Sequence, residues 1–426
     1  MKSLRAGFAQ ADITPALAGI WLDGYGMRTR PAESVRDPLY AKVCVLDDGS
    51  GIHLIASLDL CGLSQYFDCL LRDIASAVCG IPAARMTLCC IHSHSAPAGG
   101  MLPRFPVNRD WLAHAGELLG QAALRAMARA VPCTADFRIL DEPLTHTRNR
   151  RGQPERDPRI RTAAFRDESG TLRGVLCQAS CHAVINTDYR VSADYLSVLN
   201  ARSADECPYL FLQSRGADIN PSCMTPVEEG IRTLGHDLAD PVAAAAADAR
   251  AGIPLTGPLE SIREYVTVPM RFPGTPEEMA AMLREAEAVY LTTPPEDTAK
   301  YGWQEKMIWL RLLRDMRESG KAPEVRVPLQ ILRSPGVFVF AFLPFEVLTA
   351  TGDRLEAIFR QAGYPAERIW ITGYANSVNG YLAPPEALSG DHYEAYEAYE
   401  SAFGYNLPNT SPASEPAVLA WFASHA

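Results

Sequence analysis

No apolar run in this 426-residue sequence reaches the roughly 18 residues that a membrane-spanning helix needs. No transmembrane segment is therefore expected. The N-terminus, Met1-Lys2-Ser3-Leu4-Arg5-Ala6-Gly7-Phe8, has no apolar signal core and runs directly into a strand-like pattern. Positive charge is in deficit: the formal net charge is −10. With no Lys/Arg cluster to offset it, a nucleic-acid partner is not expected. Cys-x-x-Cys pairs are absent, although the chain has eleven cysteines. Several of these (Cys44, Cys89, Cys90, Cys177) sit inside strand-like runs, where a thiol behaves as a small apolar side chain. Reduced thiols and a cytoplasmic location are the expectation. Asn409-Thr410-Ser411 has the form of a glycosylation acceptor, which carries no weight without an export signal.

What is present reads as an ordinary α/β protein, 47% hydrophobic and 21% charged. Leu39 to Leu46 and Ile52 to Leu58 flank Asp47-Asp48-Gly49-Ser50-Gly51, a strong hairpin signal. The pattern predicts a helix over 65–78, a strand ending at Cys90, and a helix over 111–130. A similar order then recurs. Thr162 to Phe165 and Leu172 to Ala179 flank Asp167-Glu168-Ser169-Gly170, and Pro208 to Leu212 follows with a helix over 228–249. An internal duplication is expected. Two helical patterns, 277–291 and 303–318, form an insertion at about 276–320 of the kind that caps a cleft or supplies an outer layer. Strands return at 325–332 and 337–342.

The chemistry gathers at strand ends. His92 and His94, in Ile91-His92-Ser93-His94-Ser95-Ala96-Pro97, are two apart and point to one side of an extended segment. Asp59, His182, Asp218 and Glu346 also close otherwise apolar strands. Convergent polar strand ends are where open α/β sheets hold their sites. Two histidines and a carboxylate from separate strands, with one position left to water, make the ligand set of a catalytic zinc. The competing set Cys177, Cys181 and His182 lies on one strand and cannot wrap a single ion.

Eight segments in order resemble the catalytic domain of neutral (non-lysosomal) ceramidases and their bacterial relatives, which are zinc-dependent amide hydrolases. They are Ala11-Asp12-Ile13-Thr14-Pro15; His92-Ser93-His94-Ser95-Ala96-Pro97 with Gly99-Gly100; Asn149-Arg150; His182; Gly216-Ala217-Asp218-Ile219-Asn220-Pro221; Pro344-Phe345-Glu346; Gly373-Tyr374-Ala375-Asn376 with Tyr381; and Tyr399-Glu400. The resemblance implies a single catalytic domain over residues 1–426, with mixed β-sheets flanked by helices and one zinc site at the strand ends. It implies the zinc ligands His92, His182, Glu346 and Tyr381. His94 and Arg150 would bind the substrate or its developing oxyanion, with Arg148 and Arg151 as competitors for the arginine's place.

Three departures from the family are visible. The family's loop serine falls on Asn220, whose amide cannot act as a nucleophile. Attack by metal-bound hydroxide on a linear amide is therefore the expected reaction, with Asn220 assisting. The chain stops at Ala426, shortly past Glu400, so the family's additional β-sandwich is not expected. No lipid-facing surface or export signal is legible, so the expected substrate is smaller or more soluble than ceramide. A zinc-dependent esterase or lactonase, or an inactive relative that only binds metal and ligand, are the alternatives. Iron or manganese would also suit such ligands, and an oligomer is compatible with everything above.

Overall fold

The computed structural model describes residues 3–426 apart from 298, 390–392, 396 and 401–406, together with all but the side chains of 397 and 400. Three times the chain builds the same unit: three antiparallel strands in succession, a helical crossover, and a fourth strand parallel to the third. The first unit comprises Arg5–Asp12, Tyr40–Asp47, Ile52–Leu58, helix Gln65–Cys79 and Met86–Cys90. The second comprises Val131–Ile139, Arg161–Asp167, Leu172–Ala179, the short helix Leu196–Asn200 and Tyr209–Gln213. The third comprises Glu260–Arg271, Glu324–Ser334, Phe338–Phe342, helix Thr349–Gln361 and Ile369–Thr372. The expected duplication is therefore present in the topology, and it extends to a third copy. That copy is obscured in the sequence because helices Pro276–Thr292 and Ala299–Glu318 separate its first two strands.

Glycine marks the same corner in each unit. Gly49, Gly170 and Gly336 all take positive φ (80°, 82° and 71°) in the turn between second and third strands, where a Cβ would be strained. The crossover helix of the first unit is capped at both ends. Ser64 Oγ accepts from the Phe67 N–H, and Gly80 closes the C-terminus at φ 76°.

The first two units join through Arg5–Asp12 and Val131–Ile139, with Ile253–Pro254 added, into one nine-stranded sheet. The third forms its own sheet, extended by Asn409–Thr410. The two sheets pack face to face over an aromatic core. Phe8 meets Phe165 at 5.1 Å between ring centres, and Phe340 meets Trp370 at 5.4 Å and Phe342 at 5.9 Å. Each such ring removed from water contributes about 1.5–3 kcal/mol. Helices Arg109–Ala128 and Val227–Ala247 cover the outer face of the large sheet, and Thr349–Gln361 and Ser414–His425 that of the smaller. Among the described residues no helix is long and apolar enough to cross a membrane.

The tail of the last strand is gripped between the two edges of the large sheet. The Gly373 N–H donates to Gln213 O at 3.1 Å, the Cys90 N–H donates to Tyr374 O at 3.0 Å, and the Asn376 N–H donates to Leu88 O at 2.7 Å. This closure brings the strand ends of all three units to one place. A buried ionic cluster fastens the same region. Arg215 and Arg161, both fully buried, meet Glu356 on helix Thr349–Gln361 at 2.7 and 2.8 Å and Asp157 at 3.3 Å, while Arg159 meets Asp157 at 2.6 Å.

Burial alone would push the Asp157 carboxyl up, but Arg215, Arg159 and Arg161 outweigh it and hold it at about 2. A carboxyl depressed on folding stabilises above its unfolded value near 4 and loses that contribution as the pH falls through about 2. Asp157→Asn is therefore expected to lose about 2 kcal/mol of stability at pH 7 from this source. The gap from the unmodified protein in urea melts should narrow between pH 4 and pH 2; a gap independent of pH would show that the ionised carboxylate is not what matters.

Candidate metal centre

His92 follows the fourth strand of the first unit, His182 the third strand of the second, and Glu346 the third strand of the third. Each is nearly fully buried. His92 Nδ1 lies 2.9 Å from Cys61 O, and His182 Nδ1 lies 2.8 Å from Gly216 O and 3.2 Å from Ile219 O. A carbonyl accepts only, so each Nδ1 carries a ring proton, and in the neutral ring Nε2 presents a lone pair. Both lone pairs face the same carboxylate oxygen: Glu346 Oε2 is 3.4 Å from His92 Nε2 and 3.2 Å from His182 Nε2. The His92 contact is not an ion pair. Burial first, and then His182, push His92 down to about 4 against the pull of Glu346, so its ring is neutral at pH 7.

Three acceptors converging in a buried space repel one another unless a cation lies among them. A tetrahedral zinc shell with bonds of about 2.0–2.1 Å has donor–donor edges of about 3.3 Å. The two separations from Glu346 Oε2, 3.4 and 3.2 Å, match that length, and the carbonyls on both Nδ1 atoms are the usual outer partners of ligating imidazoles. The residues present fit a zinc ion. A second grouping, Cys61 with His92 and His94, also brings donor atoms within 4.8 Å. It fits less well: Cys61 Sγ approaches the protonated Nδ1 of His92 at 3.6 Å, and burial pushes its thiol well up, away from the thiolate that metals bind.

The remaining expected residues surround this trio. Tyr381 pairs with Glu346 in parallel register, and its backbone N–H donates to Tyr399 Oη at 2.9 Å. Burial and Glu346 push the Tyr381 phenol well up, against the opposing pull of Arg150. His94 Nε2 lies 3.0 Å from His92 Nε2. Burial, then His92 and His182, push His94 well down, so it is neutral too. Of the three candidate arginines, Arg150 is the one turned inward, with its guanidinium carbon 5.3 Å from the Tyr381 ring centre. Arg148 is exposed, and Arg151 donates to Ala387 O at 3.2 Å. Asn220 follows Ile219, whose carbonyl faces His182, and its Oδ1 is buried without a partner among the described residues.

Two strand-end carboxylates do not join. Asp59 accepts from the Tyr40 N–H at 2.8 Å and Asn200 Nδ2 at 2.7 Å. Asp218 accepts from Asn149 Nδ2, the Thr349 N–H and Thr349 Oγ1 at 2.8–3.0 Å. Both serve as struts for neighbouring backbone. The Cys177–Cys181–His182 alternative is not formed either, since His182 Nε2 faces Glu346. The Glu400 side chain lies outside the described residues.

Tyr374 belongs to a segment singled out in the sequence, but no role was expected of it. Its hydroxyl donates to Glu346 Oε2 at 3.1 Å, and its ring lies 4.2 Å from that of His92, tilted by 31°. It stands just past the last apolar strand, so the strand-end criterion that selects His182 would have selected it. Cys61, Tyr393 and Glu394 were missed; each enters through long-range packing.

The fold is that of neutral ceramidases. The crystal structure of neutral ceramidase from Pseudomonas aeruginosa matches with a TM-score of 0.73 over 99% of this chain and 74% of that one, at 18% identity. A ceramidase structure described as complexed with C2 matches with a TM-score of 0.72 over the same shares, at 16% identity. No protein-family model and no curated protein matches the sequence.

His94 owes its position to Gly24, which takes φ 87° and packs so closely that a Cβ there would collide with the imidazole. Gly24→Ala is expected to keep the far-ultraviolet dichroism of the fold while shifting the His94 imidazole signals in NMR spectra. Signals of the exposed His114 should stay in place. Unmoved His94 signals would show that the loop yields instead.

Proposed function

We propose that this chain is a zinc-dependent hydrolase that cleaves the C–N bond of a linear, soluble small-molecule amide. The observation that carries the reading is the convergence of His92 Nε2, His182 Nε2 and Glu346 Oε2, with each imidazole oriented by a backbone carbonyl. His92, His182 and Glu346 would hold the ion, with Tyr381 beside Glu346 as fourth ligand. The chemistry supplied by a bound zinc ion is Lewis acidity, which polarises an amide carbonyl and acidifies water.

The chain's own residues do the rest. His94 is neutral beside the centre, and its Nδ1 meets no partner among the described residues. It can take a proton from water at one nitrogen and pass it toward the leaving amine. Arg150 brings a permanent cation to the same side and hydrogen-bonds the substrate. Asn220 offers an amide in place of a hydroxyl, so it orients rather than attacks. Tyr374 fixes the Glu346 carboxylate through its hydroxyl. The likeness to ceramidase structures supports the amide as the bond cut. Eleven unpaired cysteines suit a reducing compartment, and we place the protein in the cytoplasm as part of the same reading.

Metal analysis of the purified protein tests the centre. One zinc per chain, with chelator-sensitive hydrolysis of members of an amide and ester panel, is the expected result. Turnover of esters or lactones alone would move the bond, and bound zinc without turnover would make the chain a binding protein. His182→Ala should lose both metal and activity while its dichroism is retained; undiminished zinc in that variant refutes the ligand set. Asn220→Ala should lower kcat about 10- to 1000-fold, the range for removing one positioning contact. An unchanged kcat would reduce Asn220 to a loop residue.

A further inference from the structure

Beside the candidate metal centre, Arg150 is paired with a buried carboxylate that nothing above requires. Arg150 Nε donates to Glu394 Oε1 at 2.9 Å, with the Glu394 side chain fully buried and that of Arg150 16% exposed. The guanidinium carbon stands 5.3 Å from the Tyr381 ring centre and 4.5 Å from that of Tyr393. The backbone is tied into the same region, since the Arg150 N–H donates to Asp218 O at 2.8 Å. The pair therefore flanks the residues that face Glu346.

Each member keeps one atom unspent. Arg150 Nη2 and Glu394 Oε2 are both buried, and neither meets a hydrogen-bond partner among the described residues. Buried polar groups are overwhelmingly paired, and an unpaired one costs about 1–3 kcal/mol, more when charged. A donor and an acceptor left open on one buried pair, at the edge of a candidate active site, call for a third group that fills both.

The charge balance narrows its chemistry. A lone carboxylate would select a cation and a lone guanidinium an anion, but the two neutralise each other. The complementary group is therefore neutral and bifunctional. It gives one O–H or N–H to Glu394 Oε2 and one lone pair to Arg150 Nη2–H. A hydroxyl does this with a single atom and a carboxamide with two; an alkyl group or a tertiary amide cannot do both. We propose that Arg150 and Glu394 form a substrate-recognition subsite for a hydroxyl or carboxamide set apart from the scissile carbonyl. Glu394 is its specificity-determining residue. The inference rests on the reading of the neighbouring centre as an amide-hydrolase site, and it names a feature of the substrate that this reading leaves open.

The test uses near-isosteric pairs that sample both flanks of the amide. N-(2-hydroxyethyl)hexanamide is compared with N-propylhexanamide, and N-hexyl-2-hydroxyacetamide with N-hexylpropanamide. Hexanoylglycinamide and its N,N-dimethylamide form the carboxamide arm. Each is titrated calorimetrically into the zinc-loaded protein and into Glu394→Gln, and its hydrolysis is followed separately. At least one donor-bearing member should bind tenfold or more tightly than its partner, as expected for a hydrogen bond to a buried charge. The arm that shows the preference distinguishes hydroxyl from carboxamide.

In Glu394→Gln, which puts an N–H donor where an acceptor stood, that preference should fall to about twofold or less with the melting temperature little changed. Equal binding within all three pairs by the unmodified protein overturns the subsite. So does a Glu394→Gln variant that weakens both members of a pair equally, because a purely structural role would leave the ratio intact. Because binding is read apart from turnover, selective binding without hydrolysis refutes the amide-hydrolase reading and upholds the subsite. Hydrolysis without selectivity does the reverse.

Discussion

Two imidazole nitrogens brought within 3.4 Å of one buried carboxylate oxygen, His92 Nε2 and His182 Nε2 against Glu346 Oε2, form the constraint on which this structure turns. Left to themselves, two imidazole lone pairs and a carboxylate oxygen would separate. They are kept together because each imidazole is anchored from behind by a carbonyl, Cys61 O for His92 and Gly216 O for His182. Those carbonyls are themselves fixed by the sheet ends. Gly216 follows Arg215, which is locked by Glu356, Asp157 and Asp353. The ionic cluster thus acts on the centre through one backbone carbonyl, and the repulsion at the centre is opposed by contacts distributed across all three units.

The repeated unit explains why such a centre arises here. Each copy ends two parallel strands side by side, and each presents its polar residues where those strands stop. No copy carries a whole site. The first supplies His92 and His94, the second His182, and the third Glu346, Tyr374 and Tyr381. Insertion of 373–376 between the edges of the large sheet brings the three sets together. The Ser93–Ala183 bridge, with the His94 N–H donating to Ala183 O at 3.0 Å, locks the first two histidine segments to each other. This is the strand-end rule of open α/β sheets applied across a sandwich.

Much of this was legible in the sequence, for reasons that also set the limit. An apolar run closed by a polar residue marks a strand end, so His92, His182 and Glu346 stood out, together with the hairpin turns at Gly49 and Gly170. The same pattern selected Asp59 and Asp218, which cap backbone N–H groups instead of facing the centre. Candidate ligands and struts share one sequence signature, because both are polar groups placed where a strand leaves backbone atoms unsatisfied. The carbonyls that orient the histidines were not legible at all, being backbone atoms 31 and 34 residues away. Strand Glu260–Arg271 escaped for another reason: its paired strand lies beyond two inserted helices, so no hairpin signal joins them.

The distribution of strain supplies a separate argument that this place is functional. Non-glycine residues at positive φ cost about 1–3 kcal/mol each and persist only where the surroundings impose them. Among the described residues they are His92, Asp194, Tyr374, Asn376 and Ser377. Four of the five lie on the two segments that meet at the centre, and one is a proposed ligand. The open atoms of Arg150, Glu394, His94 and Asn220 lie on segments that border the same centre. A sequence selected only for stability would relieve such costs independently, wherever each occurred. The concentration of the strained residues on the segments that meet at the centre means that one requirement maintains them together. Binding a cation and a polar substrate meets that requirement, since it satisfies the lone pairs and the open hydrogen-bonding atoms at once.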